Sequence, residues 1–353
     1  MKSGRSLQAL AEELIRQQHA KRDLVVPSSL MRHETDGNGT TALVVEERDA
    51  PQRYAVTELA RRQLAEKLNI PFKYFEKMRI DEPGLLDNNV NTWLRKGNDN
   101  RMLRTLDGKV RAVLSDRYRR LDNFALAEHV MPILQEREGA FASVELTSTR
   151  MYLKFVLPRL KYEMAPGDVV QAGIMISNSE VGLGTLSVQP LVFRLVCSNG
   201  LIAQDHSLRK THIGRSLGSD DEAIEVFRDD TLDADDRAFF LKAHDIVQAA
   251  LSEVTFRRIA TKMQKTMGIE ITGNPLKTVE VLGQRFGLDE GERGGVLRRL
   301  ITGGQLSGYG LVNAVTGFGQ EVDDYDRSTE LEAIGGRLID LDGAAWRSLA
   351  EAA

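Results

Sequence analysis

Apolar residues recur with a helical period in some stretches of this chain and with a two-residue period in others. Leu7, Leu10, Leu14 and Ile15 fall on one side of a helix over 7–20. A polar, turn-rich run from His33 to Thr40 follows, and Leu43-Val44-Val45 reads as a short strand. Residues 1–56 are therefore expected to be a loosely ordered N-terminal segment. Residues 57–108 read as a helical subdomain. Thr57 suits an N-cap, and Leu59, Leu64 and Leu68 line the helix after it. Asn69-Ile70-Pro71 stops that helix, with Pro71 fitting the first turn of the next. Two short helices around a tight turn have the outline of a helix-turn-helix. Phe72, Tyr74, Phe75 and Met78 are too apolar for a groove-reading helix, so packing is the better reading. Trp93 and Leu94 are expected in the same core.

The pattern changes over 109–219. Val110 to Leu114 reads as a strand, and Asp116 to Asn123 as a charged turn. A helix starts near Asn123, with Asp122 or Asn123 as its cap and Phe124, Ala127, Val130, Met131 and Leu134 as its stripe. Pro132 should kink or divide it. Strand-like segments follow near 141–157, 168–177 and 184–197, the last two joined as a hairpin through Asn178 to Gly184. Residues 220–353 read as mostly helical. They begin with an acidic stretch from Asp220 to Asp236 and a long helix over 233–265. Thr272-Gly273-Asn274-Pro275 breaks the pattern, and helices follow near 276–286, 291–302, 307–318 and 328–351. The expected fold is α/β (α+β): a central antiparallel β-meander packed by helices, with a mostly helical C-terminal region.

Composition narrows the function classes. The chain has 353 residues, a formal charge of -4 and one cysteine, Cys197. A disulfide framework and a Cys-rich zinc ribbon are excluded. No apolar run approaches 18 residues, and the first 22 residues are too charged for a signal peptide core, so a cytoplasmic protein without membrane contact is expected. The charge argues against a uniformly basic nucleic-acid binder but leaves room for a local basic face.

Catalytic signatures are mostly missing. Gly182-Leu183-Gly184-Thr185 lacks the lysine of a Walker loop and sits between strands. There is no Gly-x-Ser-x-Gly elbow and no His-Glu-x-x-His pair. Cys197 could form a nucleophilic dyad with His206 or His212, but a cysteine in a Val-rich strand reads better as a small buried hydrophobe. Asp323, Asp324 and Asp326 could hold magnesium, yet Arg327 opposes a cation there. A turn or N-cap cluster before the last helix is the better reading. No cofactor, no metal and no catalytic residue is called for.

The positive signal is the pairing of basic and aromatic residues. Along 150–157, Met151, Leu153, Phe155 and Leu157 alternate with Arg150, Tyr152 and Lys154. The second set would make an outward face with cations for phosphates and a ring for bases. Arg194 on a neighbouring strand could extend it. Arg117, Tyr118, Arg119 and Arg120 repeat the combination in a turn, and Arg209 and Lys210, near His212 and Arg215, give a third basic stretch.

Arg111-Ala112-Val113-Leu114-Ser115-Asp116-Arg117-Tyr118, followed by Leu121-Asp122-Asn123, resembles a domain-of-unknown-function family numbered nine hundred and thirty-two, found in bacteria, phages and plasmids. Gln63-Leu64-Ala65, Ile70-Pro71, Asn91-Thr92-Trp93-Leu94, Cys197-Ser198-Asn199-Gly200, Val312-Asn313-Ala314-Val315-Thr316 and Tyr325-Asp326-Arg327 agree with it in order, over about residues 55–340. The resemblance implies a mobile-element setting and no established activity. The element order is also similar to that of single-strand annealing recombinases, an analogy of fold alone. The expected function is binding of single-stranded DNA by a non-catalytic protein, with annealing or recombination as its setting and homo-oligomers as its form. The rivals are a protein that binds a host partner through its helical region and a metal-dependent enzyme with a diffuse site.

Overall fold

Most of 21–56, expected to be loosely ordered, is strand. The molecule, a computed structural model, is described for residues 2–118, 120–184, 186–203 and 229–352. It divides into two compact units. One takes Ala11–Phe124 with Ser179–Gly184, and the other the described parts of Met1–Leu10, Ala125–Asn178 and Thr185–Ala353.

The elements of the first stretch are α1 (Leu7–Ala20), β1 (Lys21–Pro27), β2 (Met31–Thr35), β3 (Thr41–Val45) and β4 (Gln52–Val56). Then come α2 (Glu58–Lys67), α3 (Phe72–Asp81), α4 (Pro83–Lys96), β5 (Asn100–Leu106) and β6 (Lys109–Ser115). The six strands form one sheet in the order β1-β5-β6-β4-β3-β2, with β4 and β6 parallel. The segment 57–108 is thus helical only through Lys96. Its caps follow the sequence: the Thr57 hydroxyl accepts from the Ala60 amide at 3.3 Å, and Pro71 precedes α3. Leu86, Val90 and Leu94 of α4 recur at helical spacing and join Phe75, Met78 and Leu103 in the core. Trp93 does not. It borders the packed face of α4 and is 50% exposed, correcting its expected place in the core.

A buried charge network closes this unit. Arg104, fully buried, donates to Asp23 at 3.0 Å, to Asp122 and to the Glu180 carbonyl at 3.0 Å. Lys21 also holds Asp122, and Arg111 holds the Glu180 carboxylate. Burial pushes the Asp122 carboxyl up, but the hydrogen bonds from Lys21 and Arg104 outweigh it and leave the group below its usual range. A carboxyl lowered in this way stabilises the fold fully above its unfolded value, about 3.9, and loses that contribution as pH falls through its folded value. Wild-type melting temperature is therefore expected to hold near neutrality and fall below about pH 4. Asp122→Asn should melt lower at pH 7 and show a flatter dependence between pH 4 and 2, as thermal melts across that range will show.

α5 (Asn123–Gln135), which belongs to the second unit from Ala125 on, runs through Pro132 undivided. Its start is as expected, but Asp122 is occupied by its cations, and the Asn123 amide is met by the Glu180 carboxylate at 2.6 Å. The meander is longer than the three strands expected: β7 (Ala140–Leu146), β8 (Met151–Ala165), β9 (Asp168–Asn178), β10 (Ser187–Arg194) and β11 (Asn199–Ile202) pair antiparallel in sequence order. The turn at 147–150 divides the expected first strand, and the hairpin of β9 with β10 is where the sequence placed it. The helical region holds α6 (Asp229–Ala250), α7 (Glu253–Lys265), α8 (Pro275–Phe286), α9 (Glu290–Thr302), α10 (Gly308–Phe318), α11 (Tyr325–Ile339) and α12 (Gly343–Ala350). Ser252 and Asp342 cap new helices inside the two segments read as single ones. Among the described residues no helix is long and apolar enough to cross a membrane.

Candidate nucleic-acid interface

The face expected from Arg150, Tyr152 and Lys154 is not at the surface. Tyr152 and Lys154 are 5% and 0% exposed, while Leu153 and Phe155 on the opposite face are buried as well. β8 is covered on both sides here, and α11 is what covers Tyr152 and Lys154. Lys154 Nζ donates to Glu332 at 2.6 Å and Thr329 at 3.0 Å, and lies 4.8 Å from the Tyr325 ring centre. The Tyr152 ring meets Tyr325 at 5.4 Å. Burial pushes the Tyr152 phenol far up, so it stays protonated. Arg150 is half-buried at the turn before β8.

Arg194 does not extend that face. It is opposite Val170, which is opposite Tyr162, eight residues along β8 from Lys154. Its guanidinium is bidentate to Asp168 at 2.7 and 2.8 Å, and its third nitrogen reaches the Cys197 sulfur at 3.1 Å. Cys197, expected in a buried strand, is exposed in the turn after β10. In the other unit Arg117 is exposed, and Arg120 is exposed 3.7 Å from Asp23. Tyr118 is half-buried, and its hydroxyl donates to the Ser179 carbonyl at 3.0 Å. Arg119, Arg209, Lys210, His206, His212 and Arg215 lie outside the described residues. Asp324 caps α11, and Asp326 accepts from Thr147 at 3.0 Å and from Thr149, so both act in the turn.

The combination of cation and ring that the sequence sought on β8 occurs instead on α3 and α4. Trp93 is half exposed, with the Lys96 ammonium 5.3 Å from its ring centre. One turn earlier, Asn89 donates to the Tyr74 hydroxyl at 3.4 Å, and Tyr74 on α3 is 42% exposed. Asn89, Trp93 and Lys96 recur at helical spacing, as do Tyr74 and Lys77. Lys73, Lys77, Arg95 and Lys96 are all exposed. The helices come together because Phe75, Leu86, Val90 and Leu94 bury their inner sides. Trp93 beside Lys96, and Tyr74 one turn from Lys77, pair a ring with a cation, and such pairs can stack on unpaired bases and hold phosphates. Trp93 is two turns on from Leu86 and about 20° from it round the helix, so spacing alone does not mark it as outward.

Residues 110–335 match the family described as Domain of unknown function (DUF932). The chain belongs to that family. No curated protein and no solved structure matches the chain. The DUF932 match takes in the five-stranded sheet and most of the helical region, and starts after α4. Several segments that resemble the family supply polar locks inside it. Asn199 donates to Thr316 at 2.6 Å, Tyr325 meets Ser143 at 2.6 Å, and Arg327 is bidentate to Glu292 at 2.6 Å on each nitrogen.

Proposed function

We propose that this DUF932 protein binds single-stranded DNA through the α3–α4 face, as a non-catalytic protein of mobile-element DNA metabolism. The observation that carries the reading is Trp93, a large ring left half exposed beside a lysine at the border of the packed face of its helix. Exposed tryptophan beside ammonium groups is the chemistry of sequence-tolerant single-strand binding. The antiparallel meander following α5 is the element order on which the analogy to annealing proteins rests, and annealing is the finer part of the proposal. A protein partner is the second reading, favoured by Ile80 and Leu85, which are 58% and 47% exposed on the same two helices.

The test is a salt series with a labelled single strand and the matching duplex. Lys73, Lys77 and Lys96 at about 0.7 per phosphate contact give a log–log slope of roughly -2. The duplex should bind more weakly, because its bases are not free to stack. Absence of binding at low salt would sink the DNA reading and move the protein partner to first place.

A further inference from the structure

We propose that the cleft between the β10–β11 turn and helices α9 and α10 is a pocket for a small phosphate-bearing ligand, of which a nucleoside monophosphate is the type. It lies in the five-stranded unit, is independent of the α3–α4 face, and encloses about 490 Å³. That volume is within the usual range of small-molecule sites. Arg194, Arg298, Arg299, Cys197, Gln305 and Asn313 line it.

Three guanidiniums in one cleft call for an anion. Arg298 and Arg299 each donate to the same carboxylate, Glu321, at 2.7 Å. One carboxylate between two guanidiniums leaves a positive charge uncompensated and N–H donors to spare. Arg299 has a built seat: a Cβ on Gly317 would come within 2.7 Å of its Nη1, so the guanidinium occupies the space a side chain would take. Arg194 is fixed from behind by Asp168, itself held by the Tyr309 hydroxyl at 2.6 Å. Its remaining nitrogen points at the Cys197 sulfur, a weak acceptor that a phosphate oxygen would outcompete.

The volume is larger than a phosphate needs, and a nucleoside monophosphate carries the phosphate on a body of the size the cleft can hold. The two segments that meet here, Cys197 to Gly200 and Val312 to Thr316, are tied by the Asn199–Thr316 hydrogen bond, so the turn and the helix hold a common geometry.

The experiment is calorimetric titration of the full chain with adenosine 5′-monophosphate, adenosine and inorganic phosphate. The monophosphate should bind saturably, phosphate more weakly, and adenosine not at all. Arg298→Ala with Arg299→Ala should weaken the monophosphate at least tenfold. Both side chains are partly exposed, and an unchanged melting temperature will show that the fold survives. Glu321→Gln should tighten binding several-fold by releasing both guanidiniums. Trp93→Ala should leave it unchanged, which separates this pocket from the single-strand face. Competition by a 5′-phosphorylated oligonucleotide, but not by its 5′-hydroxyl counterpart, would identify strand ends as the source of the phosphate. Competition by neither would identify free mononucleotides. No binding of the monophosphate at millimolar concentration, or binding that the double variant leaves intact, overturns the proposal. Phosphate binding as tightly as the monophosphate overturns the nucleoside part of the ligand.

Discussion

Lys154→Met is expected to destabilise the five-stranded unit by about 3–5 kcal/mol, because it strands a buried carboxylate. Lys154 and Glu332 are both 0% exposed, so neither has water to fall back on. Glu332 would keep only the Gln320 amide at 3.2 Å, and one neutral donor does not replace an ammonium. Lys154→Met with Glu332→Leu should recover most of the loss. Removing both partners of a buried ion pair costs far less than removing one, and an apolar pair can fill the space between β8 and α11. Denaturant unfolding of the two variants checks this. A single variant within 1 kcal/mol of wild type would mean that water reaches the pair. The same substitution should leave single-strand affinity unchanged in protein that remains folded, since Lys154 is a core residue.

Trp93→Ala is the second large effect, and it falls on binding. A base stacked on this ring should lose roughly 1–3 kcal/mol, a drop in affinity of about 5- to 150-fold. The loss should be the same at every salt concentration, because a ring carries no charge to exchange for counterions. Lys77→Ala with Lys96→Ala should behave in the opposite way, flattening the salt slope by about 1.4. The lysine pair should alter stability by no more than about 0.5 kcal/mol, since both are exposed, whereas Trp93→Ala should cost roughly 2–3 kcal/mol because half of it is buried, so its affinity is read in protein shown to be folded. Fluorescence anisotropy across a salt series separates the two effects.

Local chemistry was legible in the sequence. Thr57 and Asp324 cap helices because their side chains accept from free amides. Gly182 and Gly184 turn the chain between β9 and β10 with positive φ, which glycine adopts without strain. The strands of 21–56 were harder. β1 opens Lys21-Arg22-Asp23 and β2 carries Arg32-His33-Glu34, charged runs that resemble loops. His33 can be buried there because Asp87, 54 residues on, meets its Nδ1 at 2.7 Å. The fate of β8 was not legible for the same reason at longer range. Alternation shows that two faces differ, but not that a helix 178 residues away brings Glu332 to bury the lysine. A charged face reads as solvated until its partner is known.

Tryptophan fluorescence tests the proposed binding face most directly. The chain has two tryptophans, Trp93, which is half exposed, and Trp346, which is buried. Stacking of a base on Trp93 should quench the exposed component as an oligothymidylate is added, to saturation, with Trp346 as a constant background. Trp93→Phe should retain the background and lose the quenching. Saturable binding of the strand with no change in Trp93 emission would contradict the α3–α4 face as the site.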